Sequence, residues 1–95
     1  MTGPASEQCR FRIESDVLPD VLARLLGPFA VQGATLATVC HVLAGSGTKT
    51  QIEALGLDPS RAELLRQRIA QMPWVRSVSL TLGPVDAPGP LRVCA

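Results

Sequence analysis

Aromatic side chains are nearly missing from this 95-residue chain: Phe11, Phe29 and Trp74 make up 3 % of it, and there is no tyrosine. A sheet that recognises unpaired bases stacks them on aromatic rings, so that kind of nucleic-acid surface is excluded. Charge of one sign is lacking too. Nine basic and eight acidic residues leave a formal net charge of +1, which offers no field to nucleic acid or to an anionic membrane. No apolar run approaches the roughly 18 residues that cross a bilayer. Met1-Thr2-Gly3-Pro4 does not open the basic-then-apolar pattern of a secretion leader. Cysteine is scarce and odd in number: Cys9, Cys40 and Cys94 cannot all pair within one chain. Reduced thiols and a cytoplasmic location are therefore expected, not a disulfide framework.

What is present is a succession of periodicities. After a small, polar start (1–8) that is expected to fray, residues 9–14 alternate, with Cys9, Phe11 and Ile13 on one face and Arg10, Arg12 and Glu14 on the other. This pattern predicts a strand in a sheet covered on one side. Residues 17–31 follow a helical period, with Val21, Leu22, Leu25, Leu26 and Phe29 as the buried stripe and Asp16 or Ser15 as cap. Pro28 predicts a kink or an early end, and Gly33 a positive-φ stop. Residues 34–43 form a second strand that is apolar on both faces. Leu36, Thr38, Cys40 and Val42 are expected on one side, and Thr35, Ala37, Val39, His41 and Leu43 on the other. A turn at 44–47 leads to a third strand over 48–57.

A second helix follows to about residue 71, opened either by Asp58 with Pro59 or by a Ser60/Glu63 capping box. Its inward residues are Ala62, Leu65, Ile69 and Met72. A fourth strand over 74–82 points Val78 and Leu80 at the helices. Three prolines and two glycines between residues 83 and 90 describe an extended tail (83–95). The organisation is thus one domain, 9–82, with two short flanks.

This βαββαβ order predicts an α+β, ferredoxin-like fold: a four-stranded antiparallel sheet with two helices on one face. Right-handed crossovers give the spatial order four-one-three-two, which places the second strand at an edge. An edge strand apolar on both faces calls for cover by another chain. A homodimer is expected through Leu36, Ala37, Val39, His41 and Leu43.

Asp16-Val17-Leu18-Pro19-Asp20-Val21-Leu22-Ala23-Arg24-Leu25, then Phe29-Ala30-Val31-Gln32-Gly33-Ala34-Thr35-Leu36, resembles the ACT regulatory domain. The stretch from Leu65 to Val78, a helix running into a strand that begins Val75-Arg76-Ser77-Val78, is similar to that family's close. The small regulatory subunit of acetohydroxyacid synthase is nearest in size. The resemblance implies a non-catalytic module with an amino-acid effector seated between the first loop of one subunit and the second strand of its neighbour. By position, Asp16, Val17, Leu18, Pro19, Asp20 and Val21 would form the loop, with Gly33, Ala34, Thr35 and Leu36 nearby. A partner that is a larger biosynthetic enzyme is implied as well. Asp20 stands where the family has a glycine, and by itself reads as a first-turn acid favoured by the helix dipole. Asp16 by itself reads as a helix cap.

Other chemistries find little footing. No cofactor is implied. Metal carriers of this fold hold a soft ion with Cys-x-x-Cys in the first loop, and this loop has no cysteine. Cys40 and His41 are adjacent on a strand, so they point to opposite faces and do not chelate together. Cys40 is expected in the core, and His41 on the open side or against a partner chain. Arg61, Arg66, Arg68 and Arg76 read as solvated charges. No residue is nominated as catalytic, since the single histidine has no nucleophile or acid in supporting spacing. A structural dimerisation module without effector is the alternative, and a small enzyme of this fold a distant one.

Overall fold

The computed structural model describes residues 8–83. Its elements are β1 (Gln8–Asp16), α1 (Val21–Val31), β2 (Thr35–Ala44), β3 (Gly47–Leu55), α2 (Pro59–Ala70) and β4 (Val75–Leu82). The strands form one antiparallel sheet in the order β2-β3-β1-β4, as the crossover rule requires. The expected fraying start and extended tail fall on residues outside those described, except Gln8, which opens β1, and Gly83, whose N–H donates to the Gln8 carbonyl at 2.9 Å.

The core follows from alternation. Cys9, Phe11, Ile13 and Ser15 of β1 are buried, and the register sets them beside Ala54, Ile52, Thr50 and Thr48 of β3. On the other side of β1, Phe11 pairs with Leu80 and Ile13 with Val78. Val21, Leu25 and Phe29 of α1 close over this surface, joined by Ala62, Leu65 and Ile69 of α2. Phe11 and Phe29 meet edge to face, with ring centroids 4.9 Å apart.

α1 begins at Val21, four residues later than the apolar period suggests. Leu18 precedes Pro19, whose ring disfavours the helical region for its neighbour, so the chain turns there first. Asp16 is consequently no cap. It stays in β1, opposite Gly47, and Asp20 occupies the cap position without a side-chain bond to the first-turn amides. α1 also runs through Pro28 to Val31. The bond that Pro28 forfeits is to the carbonyl of Arg24, an exposed residue that water can satisfy. Gly33, at φ 74°, then ends the helix as expected. For α2 the Asp58 cap prevails: its carboxylate accepts from the Arg61 N–H at 2.8 Å and from the Ser60 hydroxyl at 3.1 Å. Those donors hold the Asp58 carboxyl below its usual pKa, the Arg61 amide foremost.

β2 departs from simple alternation. The register shifts between Leu36 and Thr38, leaving Ala37 as the extra residue of a bulge. Leu36 therefore shares the helix-side face with Val39, His41 and Leu43, while Thr38, Cys40 and Val42 face the open side. Both sequence assignments here are corrected. Cys40 is on the open face, not in the core. His41 turns to the helix side, where its Nδ1 lies 2.7 Å from the Thr50 hydroxyl. The thiols divide too: Cys9 is free, whereas Cys40 is disulfide-bonded. The expectation of wholly reduced thiols is corrected by the bonded Cys40, and the cysteines no longer mark a reducing compartment.

Burial pushes the Cys9 thiol up to about 11 from 9.0. The folded chain thus keeps a proton that the unfolded chain releases between those values, so stability is full below pH 9 and falls as pH rises toward 11. Urea titrations at pH 8 and pH 11 should differ by on the order of 2 kcal/mol from this group, and Cys9→Ala should remove that difference.

Candidate functional site

β1 ends, the β2–β3 hairpin turns and α1 begins at one end of the sheet. Asp16 pairs with Gly47, which also pairs with Ala44 across the two-residue turn Gly45-Ser46. Gly45 takes φ 65° at the first of those positions, the backbone that type II′ hairpins require. The expected loop, 16–21, projects from this end, with Val17, Pro19 and Asp20 exposed, Leu18 partly so, and Val21 anchored in the core.

Each carboxylate of the loop already has a cation. Arg76 donates from Nε to Asp16 at 2.8 Å and from its terminal nitrogen to the Ser46 carbonyl at 3.2 Å. Arg76 reaches this place because β4 carries a bulge: Glu14 pairs with Ser77 and Ser15 with Val75, leaving Arg76 between them. Its guanidinium crosses the end of β1 and lies against Gly47, where a Cβ would stand 2.8 Å from it and 2.5 Å from the Ser15 carbonyl. Asp20 pairs with Arg24 at 2.7 Å, one turn along α1. That bond, ahead of all other causes, holds the Asp20 carboxyl below its usual pKa.

The segment 33–36 does not join this loop. Thr35 pairs with Leu55, and Leu55 pairs with Gln8, so 33–36 lies at the opposite end of the sheet. Eight residue steps along β1 separate the two ends, about 26 Å at strand rise. There Gly33 and Gln32 close α1, and Arg61 of α2 donates to the Gln32 carbonyl and side-chain oxygen. Of the residues expected at the dimer surface, Leu43, Leu36 and Ala37 are exposed, Leu43 at 73 %, and Val39 and His41 are half-buried.

Other groupings are of lesser promise. On the helix side of the sheet, Ser15 and Thr48 share a hydrogen bond at 2.7 Å beside the His41–Thr50 pair. His41 and Thr50 have the types of a base and a nucleophile, yet Thr50 is 2 % exposed and closed to substrate. An open groove of about 450 Å³ lies between Pro28, Val31 and Gln32 of the α1 end and Arg68, Gln71 and Met72 of the α2 end, and contains no expected site residue. Among the described residues no three His, Cys, Asp or Glu gather as a metal site would need, and no helix is long and apolar enough to cross a membrane.

Sequence reasoning missed Arg76 and Gly47. Arg76 reads there as a solvated charge, as does Arg66, which in fact grips Glu63 with two nitrogens at 2.9 and 2.5 Å. The available signal was a hairpin glycine followed by a strand, which also marks a place where another group lies on the backbone.

No protein-family model matches the sequence, and no curated protein resembles it. Solved structures do. The ACT domain of GTP pyrophosphokinase from Chlorobium tepidum superposes with TM-score 0.69 at 9 % identity, over 80 % of this chain and 99 % of that one in the crystal, and 81 % and 88 % in solution. The C-terminal domain of the MgtC protein from Mycobacterium tuberculosis matches at TM-score 0.70 and 16 % identity, over 88 % of this chain and 94 % of that one. At such identities the likeness shows the fold, which is that of ACT domains and agrees with the one read from the sequence.

Gly47→Ala should cost about 1–3 kcal/mol by urea denaturation, since the new methyl meets a backbone oxygen as well as Arg76. Arg76→Ala alone should cost about 0.2–1 kcal/mol, the usual worth of a half-exposed pair. Adding Arg76→Ala to Gly47→Ala should recover only part of the loss, because the Ser15 carbonyl stays in place.

Proposed function

We propose that this chain is a regulatory module that works as a two-fold dimer through β2, with a small amino-acid effector held where the loop 16–21 of one chain meets the segment 33–36 of the other. The observation that carries this reading is the separation of those two segments. One chain alone holds them at opposite ends of its sheet. Antiparallel pairing of β2 with a second β2 sets each chain's Thr35 end beside its mate's Ala44 end, and so returns 33–36 to the end that bears the loop. The ACT-like fold and the apolar side chains of the edge strand support the same arrangement.

In this reading the first-turn amides of α1, which Asp20 does not cap, face the effector carboxylate. Asp16 or Asp20 takes the ammonium by exchanging its arginine. The finer role, a small subunit acting on an amino-acid biosynthetic enzyme such as acetohydroxyacid synthase, rests on size and on the loop resemblance. Co-purification with a large enzyme subunit is its test. No catalytic residue is assigned.

A second reading, a dimerisation module without effector, is favoured by a specific observation: both loop carboxylates are already paired within the chain, and Asp20 fills the place of the family's glycine. Thermal melting separates the two. An effector at 100 times its Kd adds about 2.7 kcal/mol, which raises the Tm of a domain this size by roughly 10–20 °C. One of the twenty amino acids should do so. A flat panel leaves the association module.

The dimer has its own test. Light scattering at tens of micromolar should give twice the chain mass, and Leu43→Lys should halve it while leaving the circular dichroism unchanged. Leu43 suits this better than Val39, which packs against the core. A monomeric wild-type chain would sink both readings.

A further inference from the structure

We propose that His41 makes the pairing of β2 with a second β2 sensitive to acid: the two-fold dimer holds while the imidazole is neutral and comes apart when the ring takes up a proton. This rests on β2 being the dimer edge, and adds a control to that edge.

His41 is the single histidine of the chain. It sits on the terminal strand of the sheet, which has β3 on one side and no described strand on the other. The register sets it opposite Thr50, on the helix-side face, between Val39 and Leu43. Its Nδ1 lies 2.7 Å from the Thr50 hydroxyl, and no described residue bonds to Nε2. Thr50 is 2 % exposed, so the ring is held from the core side and is itself half-buried. A hydroxyl accepts from a protonated ring as readily as it donates to a neutral one. Thr50 therefore fixes the place of the ring and leaves its charge to the surroundings.

Those surroundings offer an imidazolium no anion. On β3 the helix-side neighbours of Thr50 are Thr48 and Ile52, while Lys49, Gln51 and Glu53 alternate to the other face. Next to Thr48 on β1 is Ser15, whose hydroxyl is bonded to it. From α1, which packs against β2, the charged groups are Arg24 and the cap residue Asp20. They pair with each other at 2.7 Å and are more than half exposed. Asp16, at the end of β1, is held by Arg76. A second copy adds no carboxylate either. Residues directly opposite in an antiparallel pair share a face, so the mate presents its own Leu36, Val39, His41 and Leu43. With the two-fold axis at the middle of β2, His41 faces the mate's Val39. The two rings then stand on neighbouring rungs, about 7–8 Å apart on the diagonal.

Proton uptake by both rings thus sets two like charges well within a Debye length, on a surface from which the mate has displaced water. In the monomer each imidazolium keeps its water and has no twin. The dimer therefore binds fewer protons than two monomers do. By linkage, association weakens as pH falls through the ordinary imidazole range, around 6.5. Two unit charges at that spacing near a protein surface weaken pairing on the order of tenfold.

Sedimentation equilibrium of the full chain at about pH 8 and about pH 5.5, either side of that range and at equal ionic strength, tests the switch. The dimer Kd should rise on the order of tenfold at the lower pH, with the circular dichroism unchanged. His41→Gln keeps a neutral group that can bond to Thr50, and should give one Kd at both pH values. Should that variant misfold, the lone histidine serves in its place: the NMR titration of its ring protons should move to lower pH as the chain is concentrated from monomer to dimer. Equal Kd at both pH values, or a ring titration independent of concentration in a chain that does dimerise, would overturn the switch and leave the dimer standing. A His41→Gln dimer that still weakens in acid assigns the effect to another group and overturns it as well. A chain that is monomeric at both pH values removes the switch together with the dimer.

Discussion

Phe11 lies at the middle of β1, flanked by Ile52 on β3 and Leu80 on β4, and its ring meets Phe29 of α1 edge-on. The sheet order gives β1 and β3 a neighbour on each side, and β1 is the one that joins β3 to β4 beneath the helices. Its alternation therefore sets the rest. Shifting it by one residue would bring Arg10, Arg12 and Glu14 under the helices and turn Phe11 and Ile13 to the opposite face. The loop that follows Asp16 takes its position from this strand, and so does the pairing that presents Gly47 to Arg76. The candidate site is anchored on one side for that reason, because it stands on a strand whose inward residues Cys9, Phe11, Ile13 and Ser15 are all buried.

The pattern of elements was legible because each carries a clean signal: alternation in β1, three- and four-residue steps in α1, and a start of α2 marked by Asp58-Pro59-Ser60, whichever residue caps it. What was hidden is single-residue detail. The side chains from Leu36 to Val42 suit either face, so nothing in their types shows that Ala37 is an extra residue. That one bulge moves Leu36 to the helix side, with Val39 and His41, and reverses the pairing expected of it. The Arg76 bulge is equally silent, since Arg76-Ser77 reads as ordinary strand. Asp16 looks like a helix cap in sequence because it precedes an apolar period. The turn imposed before Pro19 keeps it in the strand. The loop's place was thus readable, but the charges that occupy it were not.

Those charges bear on how a site of this kind discriminates. Asp16 and Asp20 are each about half exposed and each bound by one arginine. A ligand that enters must exchange with a guanidinium, and exposed pairs of this kind are weak enough to be exchanged. Arg76 also contacts the hairpin, so releasing Asp16 loosens the link between β4 and the turn that leads into β3. Occupancy at the loop and the set of the β2 edge are in this way physically adjacent.

The central position of β1 has a consequence for biosynthesis. Although β1 is made before the other described strands, its earliest strand partner starts at Gly47, and its other partner, β4, ends at Leu82, paired with Cys9. During elongation the apolar face of Phe11 and Ile13 has only α1 for cover, and the sheet closes once nearly the whole described chain has emerged. Contacts so distant in sequence fold late. The edge strand β2 becomes a defined surface only after β3, the strand that pairs along it, has been made and has found its place.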